Sequence, residues 1–215
     1  MGKQKGLVLI GDGGHAHACL DLIESITSYS VSLGGKLFVE HVIPDTRKLM
    51  EEDWIKLAAE YKKFVLGIGQ IHSPELRKKI VTKIKDRGGE FVTLISPYAK
   101  VSPNCKIGEG VVIMPNVSVN RYAIIDEFCI LNTGCIIEHD ATIGKFSHIS
   151  TGAVVNGDCV IGSDCFVGSN AVLLNQIRIY CNSSIGAGSV VTKDIKSSGI
   201  YVGNPAAFLR DKGIV

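Results

Sequence analysis

Residues 125–149 read IDEFCILNTGCIIEHDATIGKFSHI. Every sixth place holds a large aliphatic: Ile125, Leu131, Ile137, Ile143 and Ile149. Followed outward in both directions, the series runs without insertion from Ile95 to Val191, and all 17 positions are Ile, Val or Leu. Chance does not give this at ordinary composition. Two residues before most of these aliphatics stands a small side chain. They are Ala99, Cys105, Ala123, Cys129, Cys135, Ala141, Ser147, Ala153, Cys159, Cys165, Ala171, Ser183 and Ser189, with Val111, Val117 and Ile177 as bulkier exceptions. A hexad with one large and one small inward residue predicts a β-helix: the aliphatic fills the core and the small residue fits near a corner. Three hexads make one coil, so each circuit of the chain climbs one strand spacing, and the run holds between five and six coils.

Ahead of the repeat the pattern changes to alternating strand and helix. Gly6 to Ile10 is an apolar run closed by Gly11, a buried-strand signature. Ala18, Leu22, Ile23 and Ile26 then recur at helical spacing over 16–26. Leu37 to Ile43, closed by Pro44 and Asp45, predicts a second strand, and Lys63 to Gly69 a third. Ser73-Pro74 reads as an N-cap and a first-turn proline for a helix whose apolar residues are Leu76, Ile80, Val81 and Ile84. Gly88-Gly89 stops it, and Glu90 to Ile95 is a fourth strand. The expected architecture is an α/β domain over 1–95 with a small parallel, Rossmann-like sheet, then a β-helix with a C-terminal tail over 96–215.

Composition excludes several classes. With 46% hydrophobic and 20% charged residues the chain is not wholesale disordered. Its 23 basic and 21 acidic side chains leave a net charge of +2, without the basic stripe of a nucleic-acid binder. No apolar run reaches the roughly 18 residues of a membrane helix, and Met1 to Gly6 lacks the apolar stretch of a signal peptide. The expectation is a cytoplasmic enzyme or binding protein. Five of the seven cysteines, at 105, 129, 135, 159 and 165, occupy the small inward slot. They read as buried filler in a reducing compartment, while Cys19 and Cys181 look incidental. No C-x-x-C pair suggests zinc.

Two histidines lie inside the repeat. His139 sits between Glu138 and Asp140, near a corner, two residues past the inward Ile137. A lone surface histidine is an ordinary finding, but an acidic neighbour orients an imidazole and strengthens it as a base. Asn132, seven residues earlier, is expected to line the same face. His148 follows His139 by nine residues, half a circuit, so the two point apart within one chain and meet only across a subunit interface. A threefold prism packs naturally as a trimer with clefts between copies. The loop Gly11-Asp12-Gly13-Gly14-His15-Ala16 matches a G-x-G-x-x-A fingerprint after a strand, but no acidic residue stands about 20 positions on to hold a ribose. The better reading is a cradle for one diphosphate, made by backbone amides and a helix N-terminus, with His15 as a further donor. His17, His41 and His72 read as surface or packing residues. Lys193 beyond the last coil and the turn Gly203-Asn-Pro205-Ala206 are either plain surface features or part of a binding edge.

The hexad series resembles the hexapeptide-repeat acyltransferases, which implies a left-handed parallel β-helix. With the loop at 11–16, the run Ile137-Glu-His-Asp140 and the final Gly-Asn-Pro-Ala in order, the whole chain resembles one bacterial family. That family comprises the sialic acid O-acetyltransferases and the N-acetyltransferases of nucleotide-linked 4-amino-4,6-dideoxy sugars, which serve glycan and lipopolysaccharide synthesis. The resemblance implies His139 as general base and Asp140 as its partner. It implies that Asn132 and Glu138 contact the sugar and that Gly11, Asp12, Gly13, Gly14 and His15 hold the nucleotide diphosphate. Acetyl-CoA is then expected along His148, Gly152, Gly168, Ala187, Lys193, Gly203 and Pro205, in a homotrimer with sites between subunits and no metal. Relatives often carry adjacent aspartates after the second strand and His-Pro at the repeat entry. This chain has Phe38 to Asp45 without such a pair and Ser96-Pro97, so UDP, GDP and dTDP all stay open.

A proton acceptor near pH 7 suits attack of an amine on a thioester, and the oxyanion needs a donor, either a backbone N–H at a coil corner or His148. Three other readings stay beside this one. O-acetylation of a free sugar acid needs no diphosphate loop. A zinc hydratase like the γ-class carbonic anhydrases needs three histidines, and the repeat supplies two. A non-catalytic β-helix scaffold needs none.

Overall fold

The computed structural model describes residues 7–31, 39–43 and 51–212. The chain divides into two units, Met1–Gly69 with Pro74–Pro97, and Gln70–Ser73 with Tyr98–Val215.

The first unit contains β1 (Leu7–Ile10), α1 (Gly14–Val31), β2 (Val39–Ile43), α2 (Glu51–Glu60), β3 (Lys63–Leu66), α3 (Glu75–Lys85) and β4 (Glu90–Phe91). The strands form one parallel sheet in the order β2-β1-β3-β4. Leu7 to Ile10 and Phe64 to Leu66 are buried without alternation, as parallel strands covered on both faces require. Several local expectations need correction. The third strand stops at Leu66; the Gly67 N–H, 2.8 Å from the Ile10 carbonyl, closes its ladder with β1, and Gly67 and Gly69 carry the chain into a loop. The stretch 90–95 breaks into Glu90–Phe91 and a separate Leu94–Ile95. Pro74 is the cap of α3 rather than its first residue, and no side chain caps that helix. Leu76 is 39% exposed while Arg77 is buried, so the inward face starts one residue later than the apolar pattern implied. The charged helix α2 has no counterpart in the apolar pattern. Met1–Gly6 with the Gly6 start of the first strand, Leu37 and Phe38 of the second strand, and its closing Pro44 and Asp45 lie outside the described residues.

In the second unit, two-residue strands stack on partners one full coil away: Ile124 on Thr142, Ile130 on His148, Ile136 on Val154. The result is a parallel solenoid with three faces. One begins at Lys100–Val101, the next at Lys106–Ile107, and the third, within this unit, at Val112–Ile113. Both inward slots are filled as the hexad implied. Ile137, Ile143, Ile149, Val155 and Val167 are fully buried, and so are Cys129, Cys135, Ala141, Ala153 and Cys165. The start of the series is the exception: Ile95 is 38% exposed, and Val101, Ile107 and Cys105, expected to be buried, are half-buried, since no coil lies beneath the first one in this unit. Each buried aliphatic contributes about 2 kcal/mol, and truncating one leaves a cavity worth about 2–5 kcal/mol.

The corners have their own period. A residue with positive φ recurs every sixth place from Gly110 to Gly188, and ten of these 14 are Gly, Asn or Asp. Those residues tolerate the left-handed region best. Phe128 and Phe146, two of the others, stack with ring centroids 4.9 Å apart. After Val191 the coil shortens: Ser183 pairs with Gly199 and Ser184 with Ile200. An antiparallel hairpin follows, Gly199–Val202 with Ala207–Arg210.

All seven cysteines are free. Burial pushes the thiols of Cys19, Cys135 and Cys165 up to about 12, so at pH 8 they are protonated and enclosed, whereas Cys181 is exposed. A pulse of iodoacetamide on the native protein at that pH, read by peptide mass spectrometry, will label Cys181 first. Cys129, Cys135 and Cys165 will react only after denaturation, and equal labelling of all seven would contradict the packed core.

Candidate active site

The strand Ile136–Ile137 delivers Glu138, His139 and Asp140 to one corner. Neighbouring side chains on an extended strand point to opposite faces. Asp140 has φ 61°, which breaks that alternation and lets adjacent residues meet. His139 Nδ1 lies 2.8 Å from Asp140 Oδ2. A carboxylate only accepts, so Nδ1 carries the hydrogen, and in the neutral ring Nε2 keeps the lone pair. The histidine and aspartate side chains are 61% and 49% exposed, so the pair does little for stability and acts by fixing ring orientation and tautomer. Glu138 turns away to Asn120, whose Nδ2 donates to Oε2 at 2.7 Å. One coil on, Gly157 lies against the ring: a Cβ there would stand 2.7 Å from Nε2 and from Cε1.

The neighbouring edge carries the second histidine. His148 Nδ1 donates to the Gln70 carbonyl at 2.6 Å, and the ring packs edge-on to Phe166. Asn132 Nδ2 reaches Nε2 at 3.4 Å while Thr133 N–H donates to Asn132 Oδ1 at 2.8 Å. An amide nitrogen only donates, so Nε2 is the acceptor. Two expectations change. Asn132 stands with His148 on the edge after Ile130–Leu131, not on the face of His139, because seven residues carry the chain past a full corner. In its neutral form His148 has committed its one N–H to Gln70, so its free edge offers an acceptor and not the donor expected of it.

The same edge continues upward one coil at a time. Ser150 Oγ meets Ser169 Oγ at 3.0 Å, and the missing side chain of Gly152 makes room for the Asn170 amide. A Cβ on Gly168 would stand 2.5 Å from Ala187 N, so glycine permits the close stacking of these coils. The Gly203–Ala206 turn, with Pro205 inside it, docks on the last coil. Gly203 N–H donates to Ser189 Oγ, Val190 N–H to the Gly203 carbonyl and Ala206 N–H to the Val190 carbonyl. Asn132, His148, Gly152, Gly168, Ala187, Gly203 and Pro205 therefore follow one edge, whereas the exposed Lys193, two residues past Val191, falls on the corner of His139 and Gly157, three coils above His139.

In the first unit, Gly11 has φ 119°, and a Cβ there would meet the Gly67 carbonyl oxygen at 2.8 Å. The loop after β1 and the loop after β3 therefore lie side by side, where the strand order turns from β2 to β3, the usual crevice of a parallel sheet. Asp12, Gly13 and Gly14 are exposed, and α1 begins at Gly14. His15 leans along α1 with Nε2 3.7 Å from Cys19 Sγ. Gly67, Gly69, Asn120, Gln70 and Gly157 do not stand out in the sequence. For Asn120 and Gly157 the available signal is a step of one coil, three hexads, from Glu138 and His139. Among the described residues no group of three or more His, Cys, Asp or Glu is arranged to hold a metal, and no helix is long and apolar enough to cross a membrane.

The family model described as the GMPPB C-terminal domain matches residues 91–195. UDP-N-acetylbacillosamine N-acetyltransferase of Bacillus subtilis is 30% identical over 119 residues, 51% of this chain and 51% of that protein. The match thus spans about half of the length of that relative. Solved structures match over nearly the whole chain. PerB from Caulobacter crescentus, in complex with CoA and GDP-perosamine, has a TM-score of 0.81 at 29% identity, covering 95% of this chain and 97% of its own. The acetyltransferase domain of PglB from Neisseria gonorrhoeae, in complex with acetyl coenzyme A, reaches 0.84 at 27% identity, covering 96% and 100%. The hexad core and these near-full-length likenesses agree: over almost its whole length the chain is similar to hexapeptide-repeat sugar acetyltransferases.

Proposed function

We propose that this chain transfers the acetyl group of acetyl-CoA to the 4-amino group of a nucleotide-diphosphate-linked 4-amino-4,6-dideoxy sugar. The observation that carries the reading is the exposed imidazole of His139, with Nδ1–H held by Asp140 and Nε2 left as acceptor. The likeness to a protein complexed with CoA and GDP-perosamine supports the substrate class.

In this reading His139 Nε2 takes a proton from the sugar amine as the nitrogen bonds to the thioester carbonyl carbon. The carbonyl π pair moves onto oxygen, where corner N–H groups stabilise it. Collapse of the tetrahedral intermediate breaks the C–S bond. The imidazolium of His139 returns its proton to the departing sulfur, whose thiol has an ordinary pKa near 8.5 and needs no strong acid. Asp140 holds the ring through this cycle. Asn132 faces the sugar, Glu138 contacts it while held by the Asn120 amide, and the Gly11–His15 loop with Gly67 and Gly69 receives the diphosphate. Acetyl-CoA lies along His148, Gly152, Gly168, Ala187, Gly203 and Pro205, and Lys193 meets it from the His139 corner. The enzyme works in the cytoplasm, where free thiols persist.

His139 and His148 occupy different edges of one solenoid. The proposed site therefore lies between copies in a homotrimer, the base from one and the thioester edge from the next.

Three measurements test this. His139→Asn should lower kcat by at least about 100-fold with an unchanged melting temperature, and a variant with full turnover refutes the base. In a thermal-shift panel of UDP-, GDP- and dTDP-linked 4-amino sugars, one nucleotide at about 100 times its Kd should raise the melting temperature by about 5–10 °C. No shift from any of them removes the loop assignment. Finally, inactive His139→Asn and Asn132→Ala chains refolded together should regain roughly a quarter of wild-type activity, since random mixing rebuilds that share of sites. A mixture as inactive as its components argues for a site within one chain.

A further inference from the structure

We infer that Gly157 is a positioning residue for His139: its lack of a side chain is what allows the imidazole to lie over the next coil with Nε2 free. The inference rests on the reading of His139 as the base. Gly157 follows His139 by three hexads, so the two share one corner on successive coils. The backbone at 157 is held from both sides. Asp158 N–H donates to the His139 carbonyl at 3.0 Å, and Gln176 N–H donates to the Gly157 carbonyl at 2.9 Å. That backbone has nowhere to retreat. A Cβ on residue 157 would stand 2.7 Å from Nε2, 2.7 Å from Cε1 and 3.4 Å from Cδ2 of His139. The first two contacts lie well inside the roughly 3.5–4.0 Å of unstrained packing.

Something must move, and the ring is the free partner, since it is exposed and ends a rotatable side chain. Its swing separates Nδ1 from Asp140 and displaces Nε2, the atom that takes the proton. Gly144 and Gly168 answer a different need. A Cβ on Gly144 would meet Ser163 N at 2.6 Å, and one on Gly168 would meet Ala187 N at 2.5 Å, so those glycines serve backbone stacking. Among the described glycines, Gly157 is the one whose missing side chain is replaced by the ring of His139. A methyl group here therefore acts on turnover through ring position and leaves the coil intact.

The test is Gly157→Ala in the full-length protein, assayed with acetyl-CoA and the nucleotide-linked amino sugar that gives the largest thermal shift, beside His139→Asn. The expected result is a kcat lower by about 100-fold, as for a catalytic group displaced by about 1 Å, with KM for both substrates within about twofold and a near wild-type melting temperature. A crystal structure of the variant should show Nδ1 beyond hydrogen-bond distance of Asp140. Wild-type kcat, or a ring that has not moved, overturns the inference. Full turnover in His139→Asn would instead sink the base assignment, and the crystal structure then judges the ring displacement separately. If Gly157→Ala folds poorly, adding His139→Ala removes the ring it meets and must restore the melting temperature. Failure to restore it assigns the glycine to the backbone and overturns the inference.

Discussion

The structure depends on a chain that turns in the left-handed backbone region at every sixth residue. Each turn ends one two-residue strand and aims the next, and three of them bring the chain back above itself. The aliphatic core follows from this, because only a strict return after three hexads places Ile125 under Ile143 and Leu131 under Ile149. An insertion of one residue would turn the inward aliphatics outward for the rest of the stack. The unbroken series from Val101 to Val191 is thus a demand of the corner geometry as much as of hydrophobic burial.

This explains why the second unit was legible and the first less so. A hexad repeats its evidence at every coil, so an exception such as Val111 or Ile177 does not hide the period. The α/β unit offers each signal once. Its two central strands announce themselves as short apolar runs, but its helix boundaries rest on single residues. Pro74 moved from first residue to cap, and Leu76 yielded its inward place to Arg77, a long side chain whose stem packs like an apolar one. Helix α2 carries too many charges in Glu51, Glu52 and Asp53 for an apolar-period reading to notice.

The site was legible where its members are neighbours in sequence and obscure where they are neighbours through the stack. His139 and Asp140 are adjacent, so an acid beside an imidazole could be read directly. Asn132 is only seven residues from His139 along the chain, yet the stack carries it to another edge. Its amide reaches His148 on the next coil, and that ring is itself fixed by the carbonyl of Gln70, far upstream in the chain. In a solenoid the useful ruler is the coil: residues three hexads apart touch, and residues one hexad apart occupy equivalent corners. Measured so, Asn120 falls on Glu138 and Gly157 on His139, as the contacts have it.

The identity of Asp140 answers to two constraints at once. Its corner has φ 61°, which favours Asn, Asp or Gly over longer side chains. Its place beside His139 calls for an acceptor that holds Nδ1–H, and of those three residues only aspartate brings a negative charge. Glutamate would meet the second requirement and fit the first poorly. The backbone that turns the coil thus narrows the partner of the imidazole to one residue type, and the turn itself brings that carboxylate to the side of the ring. A flat strand would have sent the two side chains to opposite faces. The corner that builds the fold is also what makes an adjacent histidine and aspartate into a working pair.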